Sequence, residues 1–455
     1  MSRTLALLDQ TSGSPSQTRE VTPLSGFRRD RSPDLGARWR RFSAMLERER
    51  ALGRYQAQYR LELLGPIDHE IVVRDPFTSQ PKRMTCFDSN SYLGLHLHPR
   101  ILAAVRRTLD VAGYGTPSAQ LLAGTNRWLC ELEDVVAAFH GREAALIFPS
   151  GYATNVGILT GLLGSGDVVV RDRLCHASLH DGCRFSGARS LVYAHRDPAS
   201  LDRALDRESA GGGARLVVTD GVFSMHGSIA PLPALRAAAD RHGALLFVDE
   251  AHATGILGAT GRGTEELFGR PGCIDVLMGT FSKAAGAAGG YVVGSRELVD
   301  YLRFHANAGL FTASLPAPIC AGIAEAFRVM EDEPELRQRL WANTRRFGAA
   351  LEANGLRVVS RDSPILSVVA GRAETLLAAG RDLFSAGVRC GVVTYPAVPP
   401  DESLLRLTVN ARHTDEEIDR TAEVLAEVAS RHGFRASGIA ARGGETRIGV
   451  EGSAA

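Results

Sequence analysis

Six short apolar runs punctuate the middle of the chain, at 145–148, 168–170, 191–193, 216–219, 245–248 and 276–279, with helix-compatible stretches between them. Strands that read as near-continuous Val, Ile and Leu are buried on both faces, so the pattern predicts an α/β fold with a mainly parallel sheet covered by helices. Further runs at 357–360, 365–369, 388–393 and 404–409 follow a helix beginning near residue 334 and predict a smaller α+β unit. Upstream, Trp39, Phe42, Met45, Leu46, Leu52 and Tyr55 show spacings of three and four in a charged background. That stripe predicts an amphipathic helix within 39–59 that packs on a neighbour. A hairpin follows, 71–73 and 84–87, split by Pro76 and Pro81. The expected organisation is a disordered segment to residue 34, a helix and hairpin over 35–86, a large domain over 87–333, a C-terminal α+β domain over 334–435, and a disordered tail over 436–455.

In a parallel sheet of this kind ligands bind beyond the carboxyl ends of the strands, which directs attention to the polar residues after each run. They are Ser150-Gly151-Tyr152, Asp172 through His176, Asp220 through Ser224, Asp249-Glu250-Ala251-His252, and Thr280 through Lys283. Composition sharpens one of them. Of 52 Lys and Arg side chains, only Lys82 and Lys283 are lysines. Lys82 follows Pro81 in a polar turn and reads as solvated surface, whereas Lys283 ends an apolar strand before a glycine-rich stretch. A shielded lysine can lose its proton and condense with a carbonyl, which arginine cannot do.

A lysine of this type and an acid on a separate strand are what pyridoxal phosphate (PLP) requires, the acid keeping the pyridine nitrogen protonated. Asp249 is the candidate acid. His176 is placed to stack on the ring and His252 to hydrogen-bond its hydroxyl, while Ser150-Gly151-Tyr152 at a helix start, with Thr280, supplies phosphate donors. Taken singly, Ser150-Gly151 also reads as a helix cap, Asp249 as a cap or ion pair, and either histidine as structural. Their joint occurrence at successive strand ends favours the cofactor site.

Several motifs resemble the α-oxoamine synthases, enzymes of PLP fold type I, over about residues 87–428. They are Asn90-Ser91-Tyr92-Leu93-Gly94-Leu95, Ser150-Gly151-Tyr152-Ala153-Thr154-Asn155, His176-Ala177-Ser178-Leu179, Gly221-Val222-Phe223-Ser224-Met225, Asp249-Glu250-Ala251-His252, Gly279-Thr280-Phe281-Ser282-Lys283 and Leu405-Arg406-Leu407. The resemblance implies that Lys283 holds PLP, Asp249 faces the pyridine nitrogen, His176 stacks on the ring, and Ser224 and His252 lie near its hydroxyl. It also implies that Asn90 and Arg406 hold the amino-acid carboxylate. Thr312 would reach the phosphate of a neighbouring subunit, so a homodimer is expected. The implied reaction is a decarboxylative Claisen condensation of a small amino acid (serine, alanine or glycine) with an acyl thioester carried by coenzyme A or a carrier protein. A medium or long acyl chain is expected, because the large-domain motifs look most like bacterial serine palmitoyltransferase. Thr394-Tyr395-Pro396-Ala397-Val398-Pro399 looks more like 5-aminolevulinate synthase or 2-amino-3-ketobutyrate CoA ligase. The stretch Gly115-Thr116-Pro117-Ser118-Ala119-Gln120, and His226 in place of an acid, depart from the family pattern.

Rival readings are another fold-type I activity, such as transamination or aldol cleavage, and a noncatalytic PLP-binding subunit or regulator. The first 86 residues show no helix-turn-helix spacing, and retention of Lys283 with His176 and Asp249 favours catalysis. A formal net charge of +1 gives no global field toward nucleic acid or anionic membrane. Leu5-Ala6-Leu7-Leu8 is too short for a secretory core, and no apolar run approaches a membrane span. Seven scattered cysteines without metal-ligand spacing point to a cytoplasmic protein with no metal site.

Overall fold

The computed structural model describes residues 32–207, 212–395, 397–399 and 402–434. The segments expected to be disordered lie outside the described residues, apart from 32–34 at the edge of the first. In chain order the strands are β1 (Glu70–Arg74), β2 (Pro81–Phe87), β3 (Ala144–Phe148), β4 (Val168–Asp172), β5 (Arg189–Tyr193), β6 (Arg215–Asp220), β7 (Leu245–Asp249), β8 (Val276–Thr280), β9 (Gly290–Gly294), β10 (Ile365–Gly371), β11 (Val388–Val393) and β12 (Ser403–Thr408).

The larger sheet runs β3-β9-β8-β7-β6-β4-β5. Alternate residues of its strands enter two different apolar cores, Ile147, Val217 and Val248 on one face and Phe148, Val218 and Phe247 on the other. That two-sided burial is why the strands read as unbroken apolar runs. Phe247 and Val248 are both fully buried on opposite faces, and each such side chain contributes about 1.5–3 kcal/mol, so the strand end carrying Asp249 is held from both sides.

β9 is antiparallel to both neighbours and has no counterpart among the expected strands. Its sequence begins and ends in glycine, so it reads as a continuation of the glycine-rich stretch after Lys283. Gly279 on β8 pairs with Tyr291 on β9, and a Cβ on Gly279 would come within 2.1 Å of the Tyr291 ring. The glycine before Thr280 is therefore required by the close approach of this aromatic ring.

The smaller sheet runs β1-β2-β11-β12-β10, so the N-terminal hairpin joins the C-terminal strands through the parallel β2–β11 pair. The expected strand at 357–360 is reduced to a single bridge, Val358 with Val368. Beyond it the chain turns to Gly227, whose carbonyl accepts from Ser360 and Ser363. The expected amphipathic helix is two helices, Leu35–Ala51 and Arg54–Gln58, parted by Gly53 at φ +67°. No side chain of the first is fully buried: Trp39 is 65% exposed, while Phe42, Met45 and Leu46 of the stripe are half-buried.

Candidate active site

Two of the residues singled out from the sequence cap helices as strands end. Ser150, after β3, accepts from the Ala153 N–H at 3.1 Å and starts the helix Gly151–Leu162. His176, after β4, caps the helix Ala177–Phe185. The two caps place the first turns of their helices at the carboxyl edge of the sheet, where Asp249 and Thr280 also end their strands.

Asp249 is the hub of a buried chain of hydrogen bonds. Its Oδ2 accepts from Asn155 Nδ2 at 2.7 Å and its Oδ1 from the Ala251 N–H at 2.9 Å. Asn155 Nδ2 also donates to Ser178 Oγ at 2.8 Å, and Ser178 Oγ lies 2.7 Å from His176 Nδ1. The Ser178 N–H also donates to His176 Nδ1, at 3.3 Å, so Nδ1 is an acceptor and the imidazole is the tautomer protonated at Nε2. Burial lowers the His176 pKa, with Asp249 acting against it. Asn155 and Ser178 lie within the quoted motifs, yet neither was assigned a role; their contact joins two helices and has no local signal. Asn155 Oδ1 is buried without a partner.

Lys283 sits partly open at the inner end of a pocket of about 910 Å3 that Asn90 and Ser282 also line. Burial pushes its amine down to about 8, against the pull of Asp249 and Asp220. Asp220 accepts from the His176 N–H at 2.9 Å and is itself driven well up by burial and by Asp249. His252 is 7% exposed, and its Nδ1 lies 2.7 Å from the hydroxyl of fully buried Tyr92. Burial drives the His252 pKa well down, aided by Lys283 and Arg406, so the ring is neutral.

Arg406 donates from Nε to the Ser224 carbonyl at 2.5 Å, from Nη1 to Thr408 Oγ1 at 3.1 Å and from Nη2 to Asn90 Oδ1 at 3.0 Å. Three of the five guanidinium N–H groups are thus engaged, and the hydroxyl of buried Tyr92 is within hydrogen-bond reach of the same side chain; a guanidinium is a group that a carboxylate takes in bidentate fashion. Ser224 enters this group through its carbonyl.

Pyridoxal phosphate fits these residues. A primary amine, a buried carboxylate and a flat neutral imidazole converge, and a glycine cradle adjoins them: a Cβ on Gly151 would come within 2.9 Å of Thr280 Oγ1. The first-turn N–H groups, suited to a phosphate, thus lie beside Thr280, whose one hydroxyl proton goes to the Gly289 carbonyl at 2.9 Å. Tyr152 is 47% exposed with its hydroxyl on Asp181, so what it can offer the cradle is backbone. Thr312 is not drawn into the group: its neighbours Ala313 and Ser314 pair with Ala119 and Ser118, and no contact of Thr312 with Lys283 or Asp249 is found among the described residues.

The aminotransferase class I and II family model matches residues 82–425. An 8-amino-7-oxononanoate synthase of Bacillus velezensis is 42% identical over 75% of this chain and 87% of its own length. The chain is an α-oxoamine synthase. It is PLP-dependent, has the fold-type I architecture, and is an acyltransferase as its relatives are. This α-oxoamine synthase is also 38% identical, over 82% of its length, to the 4-hydroxy-2,2'-bipyrrole-5-methanol synthase PigH of a Serratia species, of which it spans just over half, 57%. A serine palmitoyltransferase variant of S. paucimobilis, solved with a bound PLP–myriocin aldimine, superposes with TM-score 0.84 at 32% identity, covering 88% of this chain and all of that one. No helix among the described residues is long and apolar enough to cross a membrane.

Proposed function

We propose that this synthase joins a small amino acid, serine, alanine or glycine, to a medium- or long-chain acyl thioester with loss of CO2, giving an α-amino ketone. The observation that carries the reading is the Arg406 guanidinium held against Asn90, a residue that lines the same pocket as Lys283. A carboxylate held there brings its Cα toward the amine. When bound, pyridoxal phosphate supplies an electron sink for the pair left at Cα. Lys283 anchors the cofactor and, as a free base, takes the Cα proton; with a pKa near 8, about a tenth of such amines are unprotonated at pH 7. Asp249, oriented by Asn155, keeps the pyridine nitrogen protonated. His176, neutral with Nδ1 committed to Ser178, offers its flat face to the ring, and His252, held by Tyr92, stands near the ring hydroxyl. The new bond forms between Cα and the acyl carbon as the thiol leaves; CO2 departs and a proton returns to Cα.

Two arginines line the pocket, Arg60 and Arg389. Arg389 is engaged by Asp88 at 2.8 Å and so is not free for a side-chain acid. A homodimer in the cytoplasm completes the reading. Tyr114, Leu122 and Phe311 are 88%, 80% and 80% exposed in the single chain, and Phe311 adjoins Thr312, the residue expected to reach a partner's phosphate. Mass spectrometry of products from a panel of amino acids and acyl thioesters tests the reaction. Thioester-dependent CO2 release with an α-amino ketone product is expected. Keto-acid formation or aldol cleavage without thioester would refute it, and preferential use of acetyl or succinyl donors would overturn the chain-length claim.

A further inference from the structure

We propose that residues 57–71 form a strap walling the acyl-chain subsite, and that Arg389 and His96 are positioning residues that hold the strap against the Lys283 loop. The inference rests on the acyl-thioester reading above. The pocket of about 910 Å3 lies near the upper end of small-ligand sites and exceeds what an amino acid fills. Along its strap side are Leu61, Leu63, Pro66 and Ile67, and facing them in the lining are Ala287 and Ala288 from the loop after Lys283. Leu63 and Ile67 are 39% and 45% exposed, so apolar surface is left open within reach of the reacting amine. An alkyl chain leading from a thioester carbonyl has the chemistry to cover it.

Two side chains from distant parts of the sequence pin the strap. Arg389, on β11, donates to the carbonyls of Ala57 at 3.2 Å and Gln58 at 2.9 Å while its Nε holds Asp88 at 2.9 Å. At the other end His96 Nε2 donates to the Ile67 carbonyl. The backbone of the same residue lies against Gly286, at φ +74°, where an added Cβ would come within 2.7 Å of His96 Cβ and 2.9 Å of its backbone nitrogen. The loop carrying Lys283 and the strap are therefore referenced to one residue. Because a carbonyl only accepts, His96 Nε2 carries the proton, and its Nδ1 is a buried acceptor without a partner in the pocket lining. Between the pins, the Leu64 N–H donates to the Val72 carbonyl at 2.8 Å, folding the strap back along β1.

The test is binding of S-alkyl pantetheine thioethers, from butyl to hexadecyl, to the holoenzyme by isothermal titration calorimetry. Pantetheine is common to coenzyme A and carrier-protein donors, and a thioether cannot react. Full burial of a methylene tightens binding about fourfold; for a wall left partly open, about twofold per methylene is expected. Arg389→Gln releases the strap and should flatten that slope by half or more, with the cofactor absorbance unchanged. Leu63→Ala, at an exposed position, should weaken hexadecyl binding about tenfold and leave butyl binding alone. A wild-type slope of zero would overturn the subsite, as would a slope that both variants leave intact. Either result leaves the proposed reaction standing, since product mass spectrometry with reactive thioesters decides that independently.

Discussion

The perturbed amine of Lys283 can be measured directly, because Lys82 is the one other lysine. Burial lowers Lys283 from 10.5 to about 8, which disfavours its charged form by about 3 kcal/mol as an upper value, the amine being partly open to the pocket. At pH 7 about one such amine in ten is free base, roughly 300 times the fraction of an unperturbed lysine. Trace acylation of the cofactor-free protein from pH 6 to 11, followed by peptide mass spectrometry, reports both lysines in one experiment. Lys283 labelling should titrate near pH 8. Asp249→Asn removes the leading charge that holds this pKa up, so the midpoint should fall below 8. The stability sign follows from proton binding. Between about pH 8 and 10.5 the unfolded chain binds the Lys283 proton and the folded chain does not, so stability rises with pH across that window. Below pH 8 the penalty is fully present. Relative to Lys283→Met, wild-type protein should gain up to about 3 kcal/mol across the window in chemical denaturation. A Lys283 midpoint at pH 10 or above, or one indifferent to Asp249→Asn, would refute the reasoning.

Arg406→Lys should weaken amino-acid binding about tenfold or more, since one charged hydrogen bond is worth about 1.5–3 kcal/mol, with cofactor loading unchanged; unchanged affinity in a spectral titration would count against the carboxylate role. His69, whose pKa is raised by its hydrogen bond to Glu417, pairs with that carboxylate at 2.9 Å. Burial works to raise Glu417, yet His69 and the Thr414 N–H carry it below the usual range. The histidine's contribution is complete below about 6.5 and fades as pH rises through its folded pKa; the glutamate's is complete above about 4.5 and fades as pH falls. His69→Gln should therefore cost more stability at pH 6 than at pH 8.5, and equal losses at both would exclude the ion pair. Thr414 caps the helix Asp415–His432 in a reciprocal box with Glu417, so Thr414→Ala should lower stability by about 1 kcal/mol in urea denaturation; no loss would show the cap to be idle.

Strands buried on both faces were legible because each leaves an unbroken apolar run; six of the seven strands in the larger sheet correspond to apolar runs, although β5, at the sheet edge, is mostly exposed, with Val192 at 47%. β9 escaped for a local reason: a Gly-Tyr-Val-Val-Gly strand is short and framed by the residues that ordinarily mark turns. The place of the hairpin escaped for a topological one. Its β2 pairs with β11 in the register Cys86 with Arg389, residues 303 apart in the chain, with no local mark of the partnership. The helix Leu35–Ala51 had the right period, but periodicity states only that a face is apolar, not that this chain supplies its cover.

The same division separates chemistry from selectivity in the site. Lys283, Asp249, Thr280 and His176 occupy strand ends, positions a local pattern can locate, and the backbone holds them there whatever lies further along the chain. Asn155 and Ser178, which set the His176 tautomer and orient Asp249, sit one helical turn past those ends and act only once two helices are packed together. Further out, the pocket wall depends on Arg389 reaching back to Ala57 and Gln58 and on His96 reaching Ile67, contacts that exist only in the finished fold. A local pattern could therefore reach the cofactor, whereas the expectations of a carboxylate clamp and of a medium or long acyl chain rested on resemblance. The motifs that resemble serine palmitoyltransferase and those that resemble the short-chain enzymes both lie outside residues 57–71, although Asn90, Ser282 and Lys283 of the former line the same pocket. If residues 57–71 wall the acyl subsite as proposed, acyl preference follows from how they are held, a property of tertiary contacts between otherwise unremarkable side chains.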